Sequence, residues 1–373
     1  MKIKDLNEYI IFDGFPLDYE SKKMIILTNL LHVDKSPLPE KMCKIITTKN
    51  IALRFTAYCN LKGYKGLHKD SFMIVEPYTE TDIVISRRHI IKILLCESSD
   101  LSGNLLVVAK EENSLNYIYA GNLMDIRTVV LNETFLSWIN NSQQYLYMNL
   151  TRTNENHEED KRDHVHNVLD KIRQILEYNP DYGINLYLPI VGYEYCIDKL
   201  VKRFQKHVTF SQQFRSIFEY AMSDLNFVSK SVDDAKIVLY PTPRRIAETR
   251  NNYKVHHKIT VIIQRNDVNT FKLEPEKYYY EILYKPEPSP FELQYLTMMT
   301  RPKSIYGILD LNNKVVKVPK YLLELADNDH SPNKRPKNPK PNTERVLVPP
   351  IGEVAKQGIF LDDSESSEET ACT

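Results

Sequence analysis

Glycine is scarce, with ten residues in 373 against 24 tyrosines. Glycine supplies positive-φ turns and the close backbone approach that phosphate-cradling loops need. Neither G-x-G-x-x-G nor G-x-x-x-x-G-K-[ST] occurs, so a dinucleotide fold or a P-loop has no support. The five cysteines, Cys43, Cys59, Cys96, Cys196 and Cys372, form no C-x-x-C pair. That scattered, odd set excludes a zinc ribbon and argues against a disulfide framework.

Long apolar runs are absent too. The longest spans about five residues, where a membrane helix needs about twenty. The opening stretch "MKIKDLNEYIIFDGF" has no apolar signal segment, so an intracellular, reducing location without membrane contact is expected. On that basis the Asn-x-Ser/Thr triplets at Asn132, Asn140 and Asn149 read as chance. No sign of charge dominates either: Lys+Arg and Asp+Glu are both 49. Any nucleic-acid contact must therefore use local basic patches rather than bulk charge.

What is present is a globular composition, 42% hydrophobic and 26% charged, long enough for two ordinary domains. Apolar spacing predicts helices over 18–33, 50–61, 164–178, 196–207 and 210–225. Thr209 and Gln212 offer a capping box for the last of these, and Ser289, Pro290 and Glu292 a fuller one for "SPFELQYLTMM". Strands are predicted at "MCKIITT", at "RTVVLN", in a hairpin over 104–122, and at "GINLYLPIVGYEY", "AKIVLYP", "HKITVIIQRN", "KYYYEILYK" and "YGILDLNNKVVKVP". Asn312 and Asn313 suggest a tight turn in the last. The stretch 81–98 fits a strand or a helix, and a helix after Ser86 is preferred.

The fold class is therefore α+β, as two mixed helix/strand parts followed by a disordered tail. An N-terminal domain is placed at 1–150, a polar linker at 151–163, a second domain at 164–327 and the tail at 328–373.

Four constellations invite chemistry. "HEEDKRDHVH" (157–166) has metal-ligating residue types, but Lys161 stands where H-E-x-x-H needs its second histidine, and a charged linker explains it as well. "RRIAETRNNYKVHHK" joins Arg244, Arg245, Arg250, Lys254 and Lys258 with Tyr253, cations for phosphates and a ring for stacking, or else a charged surface loop. Arg87 and Arg88 at a helix start would oppose the helix dipole unless an anion or a carboxylate lies near. Lys199, Lys202, Arg203 and Lys206 make one basic helix face, which is either a solvated face or an extension of the 244–258 patch.

No G-x-S-x-G elbow, kinase set or strand-embedded acidic cluster appears, so catalysis in this chain alone is not expected; Asp233 and Asp234 read as a capped turn. No cofactor, metal or small-molecule substrate is implied. In the tail, "SPNKRPKNPKP" presents Lys334, Arg335, Lys337 and Lys340 in the clustered form that nuclear import receptors read, and 344–360 is apolar enough to fold against a partner. A solvated linker is the competing reading.

With its length, two-part build, basic patches and "ISRRHIIKILL" neighbourhood, the chain resembles the family of 47-kilodalton subunits of baculovirus late RNA polymerases over roughly residues 1–327. No site residue is taken from that family. The resemblance implies a non-catalytic subunit of a multisubunit viral polymerase, acting on late genes in the host nucleus beside larger catalytic chains. Two other readings stand beside it: a viral single-stranded DNA-binding protein using its tyrosines as stacking platforms, and an adaptor without nucleic-acid contact.

Overall fold

Three sheets carry the chain in the computed structural model, which describes residues 9–16, 23–31, 33–34, 37–86, 89–111, 115–139, 143–153, 164–219, 225, 228–232, 234–242, 258–264, 273–274, 278–308 and 317–326. Met1–Asn328 form one compact unit, and residues 329–373 lie outside the described residues. The class is α+β.

The first sheet orders β1 (Ile10–Phe12), β2 (Met24–Ile26), β3 (Lys44–Thr47) and β4 (Phe72–Ile74) side by side, all parallel. Helix α1 (Lys49–Leu61) makes the crossover from β3 to β4, burying Ile51, Phe55, Tyr58 and Cys59. Strand β2 corrects the helix expected over 18–33. A parallel strand between two others is covered on both faces, so it reads as a continuous apolar run rather than an alternation. "MIIL" fits a helix turn equally well, and pairing with β1 and β3 decides.

The second sheet begins as an antiparallel meander of β5 (Thr81–Ser86), β6 (His89–Glu97), β7 (Leu105–Lys110) and β8 (Leu115–Gly121). The helix preferred after Ser86 is thus a strand. Six β-branched residues between Ile83 and Ile93 favour the pleated surface, and Ser86 pairs with His89. Arg87 and Arg88 lie outside the described residues, between two strands instead of at a helix start. Helices α2 (Ile126–Val130) and α3 (Glu133–Ile139) then cross over to β9 (Gln143–Asn149), parallel to β8. Helix α2 replaces the strand expected at "RTVVLN": its valines pack under helix α7 (Pro290–Thr300), and tertiary burial overrides β-propensity.

From β9 the chain leaves to build a third sheet and later returns. Strand β16 (Ser304–Ile308) pairs parallel with β9, while α7 and α8 (Lys320–Leu323) cover the same sheet. The break at 151–163 therefore marks where the third sheet departs, and residues 290–323 complete the second sheet rather than a separate C-terminal domain. Helix α7 starts as expected, with Ser289 Oγ accepting from Glu292 N and Glu292 accepting from Ser289 N. Such a cap stabilises by about 1 kcal/mol.

The third sheet has the order β11-β12-β10-β13-β15-β14. Helix α4 (His164–Tyr178) leads into β10 (Gly183–Leu188), α5 (Glu194–Phe204) links it to β11 (Val208–Phe210), and α6 (Gln212–Phe218) links that to β12 (Ile237–Pro241). Strands β13 (Lys258–Gln264) and β15 (Tyr279–Leu283) follow, all five parallel, with β14 (Leu273–Glu274) antiparallel at the edge. The direction of travel reverses at β11, so right-handed crossovers place α5 and α6 on opposite faces. Thr209 is no cap: it sits in β11, and its hydroxyl donates to the Ser229 carbonyl at 2.7 Å. Ser211 holds the cap position of α6.

Candidate functional site

Five parallel strands start at one edge of the third sheet, and the residues at their starts form a row. In sheet order these are Lys206 and His207 before β11, Lys236 before β12, Tyr182 before β10, Lys258 opening β13, and Tyr278 before β15. Strands are spaced about 4.8 Å apart, so neighbours in the row lie within one side-chain length. Tyr182 and Tyr278 stack with ring centroids 4.8 Å apart, and the Tyr182 hydroxyl donates to that of Tyr278 at 3.3 Å, which raises its pKa. Tyr278 holds φ at 51°, a left-handed conformation uncommon outside glycine. Tyr178, ending α4, is 83% exposed nearby in sequence.

Lys258 runs over Gly183, where an added Cβ would sit 2.7 Å from its Nζ, the flexible end of that side chain. Its ammonium donates to the Ala235 carbonyl at 3.3 Å, and Lys236 donates to Pro180 at 2.8 Å. The exposed acids Asp181 and Asp234 stand beside these residues in sequence, so the row is not uniformly basic.

This places the expected basic residues unequally. Lys206 and Lys258 come to one edge, joining the α5 face to the end of the 244–258 run. Lys202 instead pairs with Asp198 at 2.8 Å, and Arg203 with Asp170 at 2.6 Å, holding the Asp170 carboxyl below its ordinary value. Arg87, Arg88, Arg244, Arg245, Arg250, Tyr253 and Lys254, and the tail residues Lys334, Arg335, Lys337 and Lys340, lie outside the described residues. So do 157–163 of the histidine-rich stretch, Asn312–Asn313 and Asp233.

Around the carboxyl ends of β1 and β2 in the first sheet lies a second concentration of polar groups, which sequence reasoning missed. Asp13, after β1, is half-buried. Its carboxylate accepts from Thr28 N at 2.6 Å, Thr28 Oγ1 at 2.6 Å, Asn29 Nδ2 at 3.0 Å and the Tyr119 hydroxyl at 2.9 Å. Burial still pushes its pKa up. Asn29, Asn122 and Asn149 continue the chain of hydrogen bonds to Thr151. Close by in the fold, Arg54 of α1, fully buried, meets Glu194 Oε1 of α5 at 2.9 Å and donates to the Ser102 carbonyl between β6 and β7. Asp198, Asp100 and Glu97 lie around it; burial raises the pKa of the last two.

Open α/β sheets commonly bind ligands beyond their carboxyl ends. At the carboxyl ends of β1 and β2 in the first sheet the side chains are bonded to one another, and one arginine ties α1, α5 and the β6–β7 loop. A legible signal existed: Arg54 falls on the apolar stripe of α1, three residues from Ile51, and Glu194 and Asp198 lie one turn apart on the buried stripe of α5. A charge on an apolar stripe needs a buried partner.

Other groups serve packing. Tyr117, Tyr145, Tyr147 and Tyr306 form a ladder of ring contacts across β8, β9 and β16. Asn149 is buried, and Asn132 accepts from Thr134 N and Phe135 N at the start of α3, so both triplet asparagines have structural partners. Cys43, Cys59, Cys96 and Cys196 are buried and form no disulfide; burial pushes the Cys59 thiol up to about 12. Among the described residues no cluster of three or more His, Cys, Asp or Glu is placed to hold a metal, and no helix is long and apolar enough to cross a membrane.

No protein-family model matches the chain, and no curated protein matches it significantly. Among solved structures it is similar to a protein of unknown function from Enterococcus faecalis V583, with a TM-score of 0.52 and 10% identity over 83% of this chain and 81% of that one. At that identity the likeness concerns the fold alone.

Proposed function

We propose that this chain is a non-catalytic, nucleic-acid-contacting subunit of a multisubunit viral RNA polymerase, working in the nucleus beside larger catalytic chains. One observation carries the contact: lysines and stacked tyrosines alternate along the amino edge of the third sheet. Lysines neutralise phosphates, and tyrosine faces accept unpaired bases whatever their sequence. The polar groups around Asp13 and Arg54 are engaged with one another, so the amino edge is the better surface for a ligand. The family resemblance supplies the setting.

Anisotropy of a labelled oligo(dT) titrated with the full chain tests the contact. Replacing Tyr182 and Tyr278 by Ala should weaken binding by about 1–3 kcal/mol for each base that no longer stacks, with the salt dependence intact. Lys236→Ala with Lys258→Ala should instead flatten the slope of log K against log salt by about 0.7 for each phosphate no longer neutralised. No binding at low salt, or binding indifferent to all four changes, overturns the edge as an interface. Purification from host cells separates the settings: polymerase chains in near-equal amounts support the subunit, and recovery alone favours a free-standing single-stranded DNA-binding protein.

A further inference from the structure

Helix α7 is apolar on both sides. Leu293, Leu296, Thr297 and Thr300 are buried toward the second sheet. Phe291, Tyr295 and Met298, spaced i, i+4 and i+7, share the outward side, with Phe291 46% and Met298 56% exposed. Leu131, ending α2 against the same helix, is 58% exposed. A helix apolar all round is ordinarily covered all round.

The charges beside this stripe say what covers it. Arg127 of α2 holds its guanidinium 4.7 Å from the Phe291 ring and 5.7 Å from that of Tyr295. Arg301, exposed at the C-cap, follows Met298 by three residues. The one acid of α7's first turn, Glu292, is engaged in the cap with Ser289. The stripe thus has a cation toward each end. A second copy, seated about a two-fold axis, would set cations against cations. We propose that the stripe docks an amphipathic helix of a partner protein whose apolar face is bordered by acidic residues, in the helix-in-groove manner. This rests on different residues from the nucleic-acid edge and stands or falls apart from it.

The probes are two labelled synthetic helical peptides with leucines at i, i+4 and i+7, one flanked by glutamates and one by lysines, titrated against the full chain. The glutamate-flanked peptide should bind at least about tenfold more tightly. Met298→Glu should abolish binding while leaving the circular-dichroism melt unchanged, and Arg127→Glu with Arg301→Glu should reverse the preference. Equal affinities, failure of both peptides, or a sedimenting dimer that Met298→Glu dissociates would each overturn the proposal.

Discussion

Tyrosine and a charged group meet in two places with opposite results. Around Asp13, Tyr119 donates into a carboxylate that other donors also satisfy, and nearby Arg54 is wholly enclosed. At the amino edge of the third sheet, Tyr182 and Tyr278 bond weakly to one another, with Lys258 between their strands and Lys236 on the strand beyond Tyr182. The first arrangement is half-buried at Asp13 and closed around Arg54; the second is open, with Tyr278 exposed. The same residue types build the fold where strand ends converge and offer a surface where strands merely begin. Burial, rather than residue type, separates the roles.

The largest effect should come from opening the closed region. Arg54→Met leaves Glu194 buried without its cation and should lower stability by about 3–5 kcal/mol. Adding Glu194→Leu should recover much of that loss, because an apolar pair needs no partner. Urea unfolding measures both, and a single variant within about 1 kcal/mol of wild type would mean that water reaches the pair. A smaller effect should appear at the edge. Tyr278→Gly removes a left-handed strain of roughly 1–2 kcal/mol, partly offset by added chain entropy, so stability should hold or rise. Oligo(dT) affinity should nevertheless fall, and a variant that lost both would make Tyr278 a packing residue.

The smallest effect is electrostatic. Asp13, Glu97 and Asp100 have raised pKa values in the fold, because burial disfavours their charge. The native chain therefore binds these protons more tightly than the unfolded one. Their contribution is fully present below the ordinary carboxyl values and is lost as pH rises through the folded values. The urea midpoint should accordingly climb as pH drops toward the ordinary carboxyl values, and Asp13→Asn should flatten that climb. Asp170, lowered by Arg203, acts oppositely: its contribution is present above its ordinary 3.8 and lost as pH falls through its folded value. A midpoint that stays level as pH falls toward those values would mean that the three carboxyls carry their charge without strain.

Helix α4, helix α7 with its capping box, the β7–β8 hairpin and strands β10, β12, β13 and β15 were legible in the sequence. Each is long or well punctuated, and local chemistry agrees with the final packing. Strands β2 and β6 and helix α2 were misread for one reason. A short apolar run fits a helix or a covered strand, and only its neighbours choose. Of the site, Lys258 and the basic end of α5 were visible, while Tyr182 and Tyr278, 96 residues apart, had no local signal connecting them.

By itself the sequence determined the class, the cap of α7, the lack of a phosphate loop and the stock of charges. Those follow from residue type and short-range spacing, which every segment carries with it. Tertiary structure alone decided that residues 290–323 return to the second sheet, that Lys202 and Arg203 are drawn into ion pairs, and that two distant tyrosines stack beside Lys258. Those depend on which strand ends meet, and strand order is settled by burial summed over the whole chain, which no window of sequence contains.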